Sequence, residues 1–331
     1  MAARRQHWRL YALGGGLGHL TRAAGLARAA VARGHSVEVL TNSPFAAGLP
    51  LEALLGPGAT VHRLDARLDK AATVAAVTAW LQGAPPDVLV VDTFPRGLLG
   101  ELVALLPAVR APRVLVHRDL NPVYVERFDV ARAVEAFDLL VVPGEDAPFM
   151  HHPRAVRTAP WLLLDADALL PREQARRRLG LEDTDPRPLV AVMGCGRPEE
   201  VAEAGDTAAR LRVTLEGGAE VRWLVPSGGG AGQAVWPALA VLRGVDVLVG
   251  AGGYNTVQEA RATGTPLVAW AHPRLYDRQA VRLRDSERVA DAADLEARVV
   301  ALLREGPGVR PGAWVNGVHR AVEAIERTAR G

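Results

Sequence analysis

The first residues that could do chemistry follow a short strand near the start of the chain. Residues 14–19 are Gly-Gly-Gly-Leu-Gly-His, and a stretch with helical spacing of its apolar residues extends from them to Gly34. Glycines let a backbone approach a ligand closely, and a helix N-terminus favours anions. His19 is either a polar residue that caps or lines this turn, or a general base, since an imidazole near a helix N-terminus stays neutral.

This turn does not fit the common nucleotide-binding fingerprints. Leu20 or Thr21 stands where a dinucleotide-binding turn has its third glycine, and the next strand ends Leu40-Thr41-Asn42, without an acid for a ribose. A P-loop would need a Lys-Ser/Thr pair, which the turn lacks. The pattern therefore disfavours NAD.

A second glycine turn, residues 250–253, lies between a strand and a helix in the second half of the chain. Glu259 lies about one turn inside that helix and has two interpretations. Residues 256–259 fit the S/T-x-x-E capping box, which makes Glu259 structural. Alternatively, its carboxylate accepts both ribose hydroxyls of a nucleotide whose phosphates rest on the glycines.

Two further segments follow strands of the second half. Asp277 and Gln279 could hydrogen-bond sugar hydroxyls, or they belong to a solvated helix start in which Asp277 is a dipole partner. Cys195 lies in a third glycine turn, residues 193–196. Because no base is paired with it, we expect Cys195 to be a small residue and not a nucleophile.

Short apolar runs predict the strands that position these residues. The runs are 8–13, 36–41, 87–92, 113–117, 138–143, 188–194, 220–226, 246–250 and 266–270. Continuous Val- and Leu-rich runs are typical of strands buried on both faces of a parallel sheet. With helical segments between them, they predict two doubly wound α/β domains, whose ligands bind beyond the carboxyl ends of the strands. We place the domains at 1–160 and 161–311, with a cleft between them, and a C-terminal helix at 312–331.

The composition limits the function classes. The 331 residues carry a net charge of +2, and Lys70 is the sole lysine; the absence of a dense basic run with interleaved aromatics disfavours nucleic-acid binding. A single cysteine permits no disulfide framework and indicates a reducing compartment. Neither a signal peptide nor a membrane span is evident. We therefore expect a cytoplasmic protein with at most peripheral membrane contact.

The two glycine motifs together resemble those of the GT-B glycosyltransferases. The similarity lies in residues 14–41 and in 250–270 with 276–280, and it covers both domains in the right order and spacing. The closest groups are the MurG-like enzymes of glycosyltransferase family 28 and a related group of predicted bacterial glycosyltransferases. The resemblance implies two Rossmann-like α/β/α domains with mostly parallel sheets that face each other across a cleft.

The resemblance also implies a nucleotide-diphosphate sugar, usually a UDP-sugar, bound mainly by the C-terminal domain. Glu259 would bind the ribose, and Asp277 and Gln279 the donor sugar. The residues that would line the diphosphate are Gly194, Gly196, Gly252, Gly253, Tyr254, Asn255 and Thr256.

The N-terminal domain would bind the acceptor, with His19 near the reaction centre. Asp92, at the end of a strand, is a second catalytic or orienting candidate; its alternative is a turn-capping aspartate before Pro95. The remaining residues implied on the acceptor side are Gly16, Gly18, Arg118 and Asp119.

The chain departs from the MurG pattern at Leu17, where those enzymes have a glycine, and at residues 20–22, where they have a proline-containing helix start. The segment Gly-His-Leu-Thr-Arg is instead similar to nucleotide-sugar hydrolases of the same fold. No Asp-x-Asp pair is positioned to carry a metal between phosphates. We therefore expect an inverting, metal-independent glycosyltransferase with no cofactor beyond its nucleotide-sugar substrate. The alternatives are a nucleotide-sugar hydrolase or epimerase, and a non-catalytic nucleotide-sugar-binding protein.

Overall fold

The computed structural model describes residues 4–194, 196–228, 230–306 and 314–330, which form two compact units. The first unit comprises the described residues up to 163, the segment 275–277 and those from 315 onward. The second comprises the described residues of 164–274 and 278–314. Cys195 and the predicted boundary at 311–312 lie outside the described residues.

The first unit is built on a seven-stranded sheet in which every paired strand is parallel. Its strands are β1 (His7–Ala12), β2 (Ser36–Thr41), β3 (Ala59–Arg63), β4 (Val88–Asp92), β5 (Arg113–Val116), β6 (Leu139–Pro143) and β7 (Ala155–Thr158). The spatial order is β3-β2-β1-β4-β5-β6-β7. Strands β2 and β3 are added on one side of β1, and β4 to β7 on its other side, so the strand order switches between β1 and β4. Ligands of doubly wound sheets bind outside the carboxyl ends of the strands at such a switch point.

Helices connect these strands. They are α1 (Leu17–Ala32), α2 (Leu51–Leu55), α3 (Lys70–Gln82), α4 (Leu102–Leu105), α5 (Pro122–Arg127) and α6 (Val130–Val134). The apolar stripe of α1 that the sequence predicts is buried at Leu20, Ala23, Ala24 and Ala27. Alanines on this face let the helix approach the sheet closely, and α1 packs against β1, β2 and β3.

The second unit is a five-stranded parallel sheet in the order β10-β9-β8-β11-β12. Its strands are β8 (Leu189–Met193), β9 (Glu220–Val225), β10 (Gln233–Ala234), β11 (Val247–Ala251) and β12 (Leu267–Trp270). Its helices are α7 (Arg172–Arg178), α8 (Pro198–Thr214), α9 (Tyr254–Thr263), α10 (Gln279–Arg282) and α11 (Ala292–Glu305). The switch point of this sheet lies between β8 and β11.

Two doubly wound α/β units therefore confirm the predicted fold class. All nine predicted strands are present, each within one residue of its predicted ends. The sequence missed β3, β7 and β10, which are edge strands whose side chains are mostly exposed or half-buried. An edge strand with partial exposure does not need a continuous apolar run, so it gives no such signal. None of the helices in the described ranges is both long and apolar enough to cross a membrane.

The C-terminal helix α12 (Val318–Thr328) belongs to the first unit, where it packs against α1, β6 and β7. Its Glu326 accepts hydrogen bonds from Arg33 Nε at 2.7 Å and from His35 Nε2 at 2.8 Å. His35 Nδ1 accepts from the Gln6 N–H at 3.2 Å, so Nε2 is the ring nitrogen that donates to Glu326. The hydrogen bond from Arg33, aided by that from His35, outweighs burial and lowers the pKa of Glu326 to about 2.

We expect Glu326→Gln to lower the free energy of unfolding at pH 7 by about 1–2 kcal/mol, because it weakens charge-assisted hydrogen bonds to a half-exposed arginine. The folded-state pKa lies below the unfolded value of 4.5, so this stabilisation is full above pH 4.5 and is lost as the pH falls towards about 2. Urea unfolding at several pH values measures both effects. Glu323→Gln, an exposed change on the same helix, is the control; equal losses in the two variants would contradict the assignment.

Candidate functional site

The two catalytic candidates of the sequence lie together at the switch point of the first sheet. His19 lies in the first turn of α1, which follows β1, and Asp92 is the last residue of β4, the neighbouring strand. His19 Nδ1 and Asp92 Oδ2 are 2.6 Å apart, and both side chains are buried. The sheet order thus joins two residues that are 73 positions apart in sequence.

Asp92 has further partners in Arg22 and Thr93. Arg22 donates from Nε to Oδ1 at 2.8 Å and from Nη2 to Oδ2 at 2.7 Å, and the Thr93 hydroxyl lies 3.2 Å from Oδ2. Arg22 Nη2 also donates to Thr93 Oγ1 at 3.0 Å. No backbone N–H of the described residues donates to the carboxylate, so the alternative of a turn-capping aspartate is wrong.

The hydrogen bonds fix the tautomer of His19. Burial disfavours the charged form of Asp92, but the charge of Arg22 and the hydrogen bond from His19 outweigh it and hold the pKa of Asp92 well below its usual range. An ionised carboxylate only accepts, so His19 carries its proton on Nδ1 and exposes a lone pair on Nε2. No hydrogen bond from the described residues reaches Nε2.

His19 is the basic group of this site, and it is neutral at pH 7. Burial is the largest cause that lowers its pKa; Asp92 opposes the shift, and the positive charges of Arg22 and Arg118 add to it. The N-terminus of α1 also disfavours an imidazolium, because the positive end of the helix dipole lies there. The first interpretation of His19 as a helix cap does not apply, since the N-cap of α1 is Gly16 and His19 bonds to Asp92.

Gly14 makes room for the imidazole. A Cβ on Gly14 would lie 2.7 Å from His19 Nε2 and closer still to the ring carbon Cδ2, so an alanine collides with the ring. Phe94 stacks on His19 with ring centroids 5.2 Å apart. The Gly14 N–H donates to Asn42 Oδ1 at 2.8 Å, which anchors the turn to the residue after β2.

The predicted acceptor-side residues follow strands of the same sheet. Gly16 and Gly18 lie at the N-cap and in the first turn of α1, and Arg118 and Asp119 follow β5. Glu145 comes after β6 and accepts from Arg118 Nε at 2.9 Å and Nη2 at 3.1 Å. The charge of Arg118 acts on the pKa of His19, so this ion pair belongs to the surroundings of the dyad.

Asp277 belongs to the first unit, whereas Gln279 belongs to the second. Asp277 Oδ1 lies 4.0 Å from Arg118 Nη2. The preceding residue, Tyr276, packs edge-on against Phe94 with centroids 4.9 Å apart. Asp277 and Gln279 thus fall in different units, and their assignment to one donor sugar stays a prediction.

In the second unit, the N-terminus of α9 follows β11 at the switch point. Gly253 is the N-cap, no side chain caps it, and a Cβ there would meet no atom within 4 Å. Tyr254, Asn255 and Thr256 form the first turn, which contains no acidic residue. The backbone amide groups and the dipole at the N-terminus of a helix favour a phosphate. Thr256 lies inside the helix and is not its N-cap, so the capping-box interpretation of Glu259 is wrong.

Glu259 is a buried carboxyl to which none of the described residues bonds. Its side chain is 6% exposed, and none of the residues that the structure describes donates a hydrogen bond to it or pairs with it. Burial raises its pKa to about 8. A buried carboxyl without donors is costly, so an unfilled group of this kind suits a ligand that brings hydroxyl donors.

The other predicted glycines have packing reasons. A Cβ on Gly194 would lie 2.5 Å from the Glu200 carbonyl oxygen of α8, and a Cβ on Gly196 would meet the Glu200 carboxylate. Glu199 and Glu200 occupy the first turn of α8, and Glu200 pairs with Arg274. Acidic residues at that helix end make it a poorer anion site than α9. The assignment of Gly194 and Gly196 to a diphosphate stays a prediction.

Gly252 and Gln279 contact each other. A Cβ on Gly252 would lie 3.0 Å from the Gln279 carbonyl oxygen, and Arg282 Nη1 donates to the Gly252 carbonyl at 2.8 Å. Gln279 is buried at the start of α10, and its Oε1 accepts from the His272 N–H at 3.0 Å. These bonds fix the segment that follows β12 beside the glycine turn.

The sequence pattern does not identify Arg22, Thr93, Gly14 or Glu145 as residues of the site. Arg22 lies three positions after His19, a spacing that puts both on one face of a helix. Thr93 and Glu145 follow strands that were predicted. The rule that site residues come directly after strands therefore applied to them as well, but the sequence does not show which side chains meet.

No protein-family model and no curated protein matches the chain. Among solved structures, the glycosyltransferase of kitacinnamycin has a TM-score of 0.59 at 18% identity, over 98% of this chain and 99% of its own. The spinosyn forosaminyltransferase has a TM-score of 0.58 at 18% identity, over 97% and 95%. Sucrose-phosphate synthase from Thermosynechococcus elongatus has a TM-score of 0.57 at 16% identity, over 98% of this chain and 97% of its own. The chain thus shares the GT-B fold of these enzymes.

We expect Gly14→Ala to displace the His19 ring from Asp92 and to cost about 1–3 kcal/mol of stability, because the new methyl overlaps the imidazole. Gly15→Ala is the matched control, since a Cβ there meets nothing within 4 Å. Urea unfolding measures the cost, and a crystal structure of each variant locates the ring. An unmoved His19 in Gly14→Ala would contradict the close approach.

Proposed function

We propose that the protein transfers a sugar from a nucleotide-diphosphate donor to a hydroxyl group of an acceptor. The observation that carries this proposal is the buried, neutral His19, whose Nδ1 is bonded to Asp92 and whose Nε2 receives no hydrogen bond from the described residues. A general base of this kind is what glycosyl transfer to a hydroxyl requires. The shared fold with glycosyltransferases of kitacinnamycin and spinosyn supports the same class of reaction.

In the proposed reaction, the acceptor hydroxyl donates its proton to His19 Nε2 as its oxygen forms a bond to the anomeric carbon of the donor. The bond from that carbon to the diphosphate oxygen breaks, and the electron pair leaves with the nucleotide. Asp92 holds the ring in the Nδ1–H tautomer and stabilises the imidazolium that forms. A single displacement inverts the anomeric configuration.

The second unit supplies the features for the donor. The open N-terminus of α9 at Gly253 is suited to the diphosphate, where it would stabilise the departing negative charge. Glu259, which has no partner among the residues that the structure describes, would accept the ribose hydroxyls. The MurG-like motifs favour uridine as the base. No group of three or more potential metal ligands occurs among the described residues.

We propose that the transfer is metal-independent. Asp183 and Asp185, one of the Asp-x-Asp pairs of the sequence, lie outside both glycine turns. They already pair with Arg177 at 2.6 Å and with Arg187 at 2.7 Å. Helix dipoles and backbone N–H groups offer the charge stabilisation that a metal would otherwise supply.

A thermal-shift screen of nucleotide sugars identifies the donor, because a bound ligand raises the apparent stability. With that donor, His19→Ala should lower the turnover by about 10²–10⁴-fold and leave donor affinity nearly unchanged, since only the proton acceptor is lost. The matched control is His151→Ala, an exposed histidine of the same unit. Full turnover in His19→Ala would overturn the proposed role of His19.

The release of nucleotide with and without an acceptor separates transfer from hydrolysis. We expect release to depend on the acceptor and NMR to show an inverted anomeric product. Rapid release in water alone would assign the site to a nucleotide-sugar hydrolase. A retained configuration or a covalent sugar–enzyme adduct would overturn the single displacement, and saturable binding without turnover would indicate a binding protein.

At pH 8 and above, where the carboxyl with its pKa of about 8 ionises, Glu259→Gln should weaken nucleotide binding by about ten- to hundredfold, because a neutral amide accepts ribose hydroxyls less strongly than a carboxylate. It should also raise stability. The folded-state pKa of about 8 exceeds the unfolded value of 4.5, so the wild type loses stability as the pH rises through this window. The variant lacks that loss, and we expect it to be about 1–3 kcal/mol more stable at pH 8.

Calorimetric titration with the nucleotide and urea unfolding at pH 5 and pH 8 measure the two effects. Glu305→Gln, an exposed change on α11, is the control for both. Unchanged affinity together with a loss of stability in Glu259→Gln would favour a structural role for this residue.

A further inference from the structure

Arg22 is a charged residue of the site that contacts Asp92 and that the proposed reaction does not yet use. It is 3% exposed and lies one helical turn after His19 on α1. Its guanidinium donates from Nε to Asp92 Oδ1 at 2.8 Å and from Nη2 to Asp92 Oδ2 at 2.7 Å. Nη2 also donates to Thr93 Oγ1 at 3.0 Å. Asp92 Oδ2 therefore faces three groups at once: His19 Nδ1, Arg22 Nη2 and the Thr93 hydroxyl.

This arrangement changes what Asp92 does to His19. A lone buried carboxylate beside an imidazole strongly favours the imidazolium, which is useless as a base. In this site, Asp92 is already in a bidentate ion pair, so its charge is largely balanced before His19 is considered. The 3.4 Å approach of Arg22 Nη2 to His19 Nδ1 brings a positive charge against a nitrogen that already carries a proton.

We propose that Arg22 is a positioning residue, which fixes both oxygens of Asp92 so that Asp92 orients His19 while His19 enters the reaction as a neutral base. The proposal rests on the function proposed above for His19. Arg22 touches Asp92 and Thr93 and acts on the substrate only through His19.

The other groups around His19 come from the end of β4, from the segments after β5 and β6, and from residues 275–277. Asp92 and Thr93 lie at the end of β4, Phe94 stacks on the ring, and Arg118 after β5 acts through its positive charge. Glu145 pairs with Arg118 and balances part of that charge. Asp277 lies 4.0 Å from Arg118. Of the two arginines that act on His19, Arg22 is the one that also bonds to Asp92.

The proton balance shows how Arg22 would affect turnover. His19 Nε2 takes the hydroxyl proton of the acceptor and must release it to solvent before the next cycle. With Arg22 in place, the imidazolium has one balanced carboxylate beside it and two nearby positive charges, so proton release is favoured. Without Arg22, the unbalanced Asp92 retains the proton on His19 across a wider pH range.

Two variants test this proposal. Arg22→Met removes the charge and keeps the chain length, and Arg22→Lys keeps the charge but removes the fork. For Arg22→Met, we expect the acidic limb of the kcat profile to move to higher pH, so that activity at pH 6 falls on the order of tenfold more than activity at pH 8.5. For Arg22→Lys, we expect a lower kcat, and we expect the acidic limb of its pH profile to lie close to that of the wild type.

NMR titration of the His19 ring, assigned by the signal lost in His19→Ala, gives the same answer without a substrate. The His19 midpoint should rise in Arg22→Met and stay near the wild-type value in Arg22→Lys. Arg28→Met, which changes another arginine of α1, is the control and should leave the midpoint in place. Should Arg22→Met not fold, Arg22→Lys still separates charge from fork geometry.

An unchanged midpoint in Arg22→Met, or equal upward shifts in the methionine and lysine variants, would overturn the role of Arg22. An activity loss that is the same at every pH would also overturn it and would indicate a structural role. Neither result touches the role of His19 as base, which fails only if His19→Ala retains its turnover. The two proposals are therefore distinguishable.

Discussion

The buried carboxylate of Asp92 sets the geometry of the first unit's site. A carboxylate removed from water is tolerated where donors surround it, and here the imidazole of His19, the guanidinium of Arg22 and the hydroxyl of Thr93 supply them. Because α1 carries two of these donors on one face, satisfying Asp92 also fixes the start of α1 against the end of β4. The direction of the His19 ring follows from that constraint.

The two units repeat one architecture with opposite electrostatics. Each has a glycine turn and a helix N-terminus at the switch point of a parallel sheet, α1 in the first and α9 in the second. In the first unit the acidic group, Asp92, is compensated by the protein itself, so the site is preorganised. In the second unit, no residue within the described ranges bonds to the buried carboxyl of Glu259, which costs stability. This difference supports the catalytic role proposed for the first site and the binding role proposed for the second.

Glycines at the two switch points serve three different physical needs. Gly14 vacates the space that the His19 ring fills, Gly194 lets β8 approach the backbone of α8, and Gly253 leaves the end of α9 open. Only the last of these needs would concern a phosphate, in the proposed function. A glycine-rich motif therefore shows where the backbone is approached closely, and the neighbouring atoms decide what approaches it.

The sequence by itself determined the fold class, nine of the strands and the positions of both glycine turns, because buried parallel strands require continuous apolar runs and turns require glycine. It also placed His19 in the turn after the first strand and Asp92 at the end of a strand. It could not show that they meet, since the pairing of β1 with β4 joins residues 73 positions apart. Tertiary structure alone excluded the capping roles of Asp92 and Glu259 and revealed Arg22 and Glu145. The physical reason is that a side chain's partners, and hence its charge state, depend on burial and on contacts between elements that are remote in sequence.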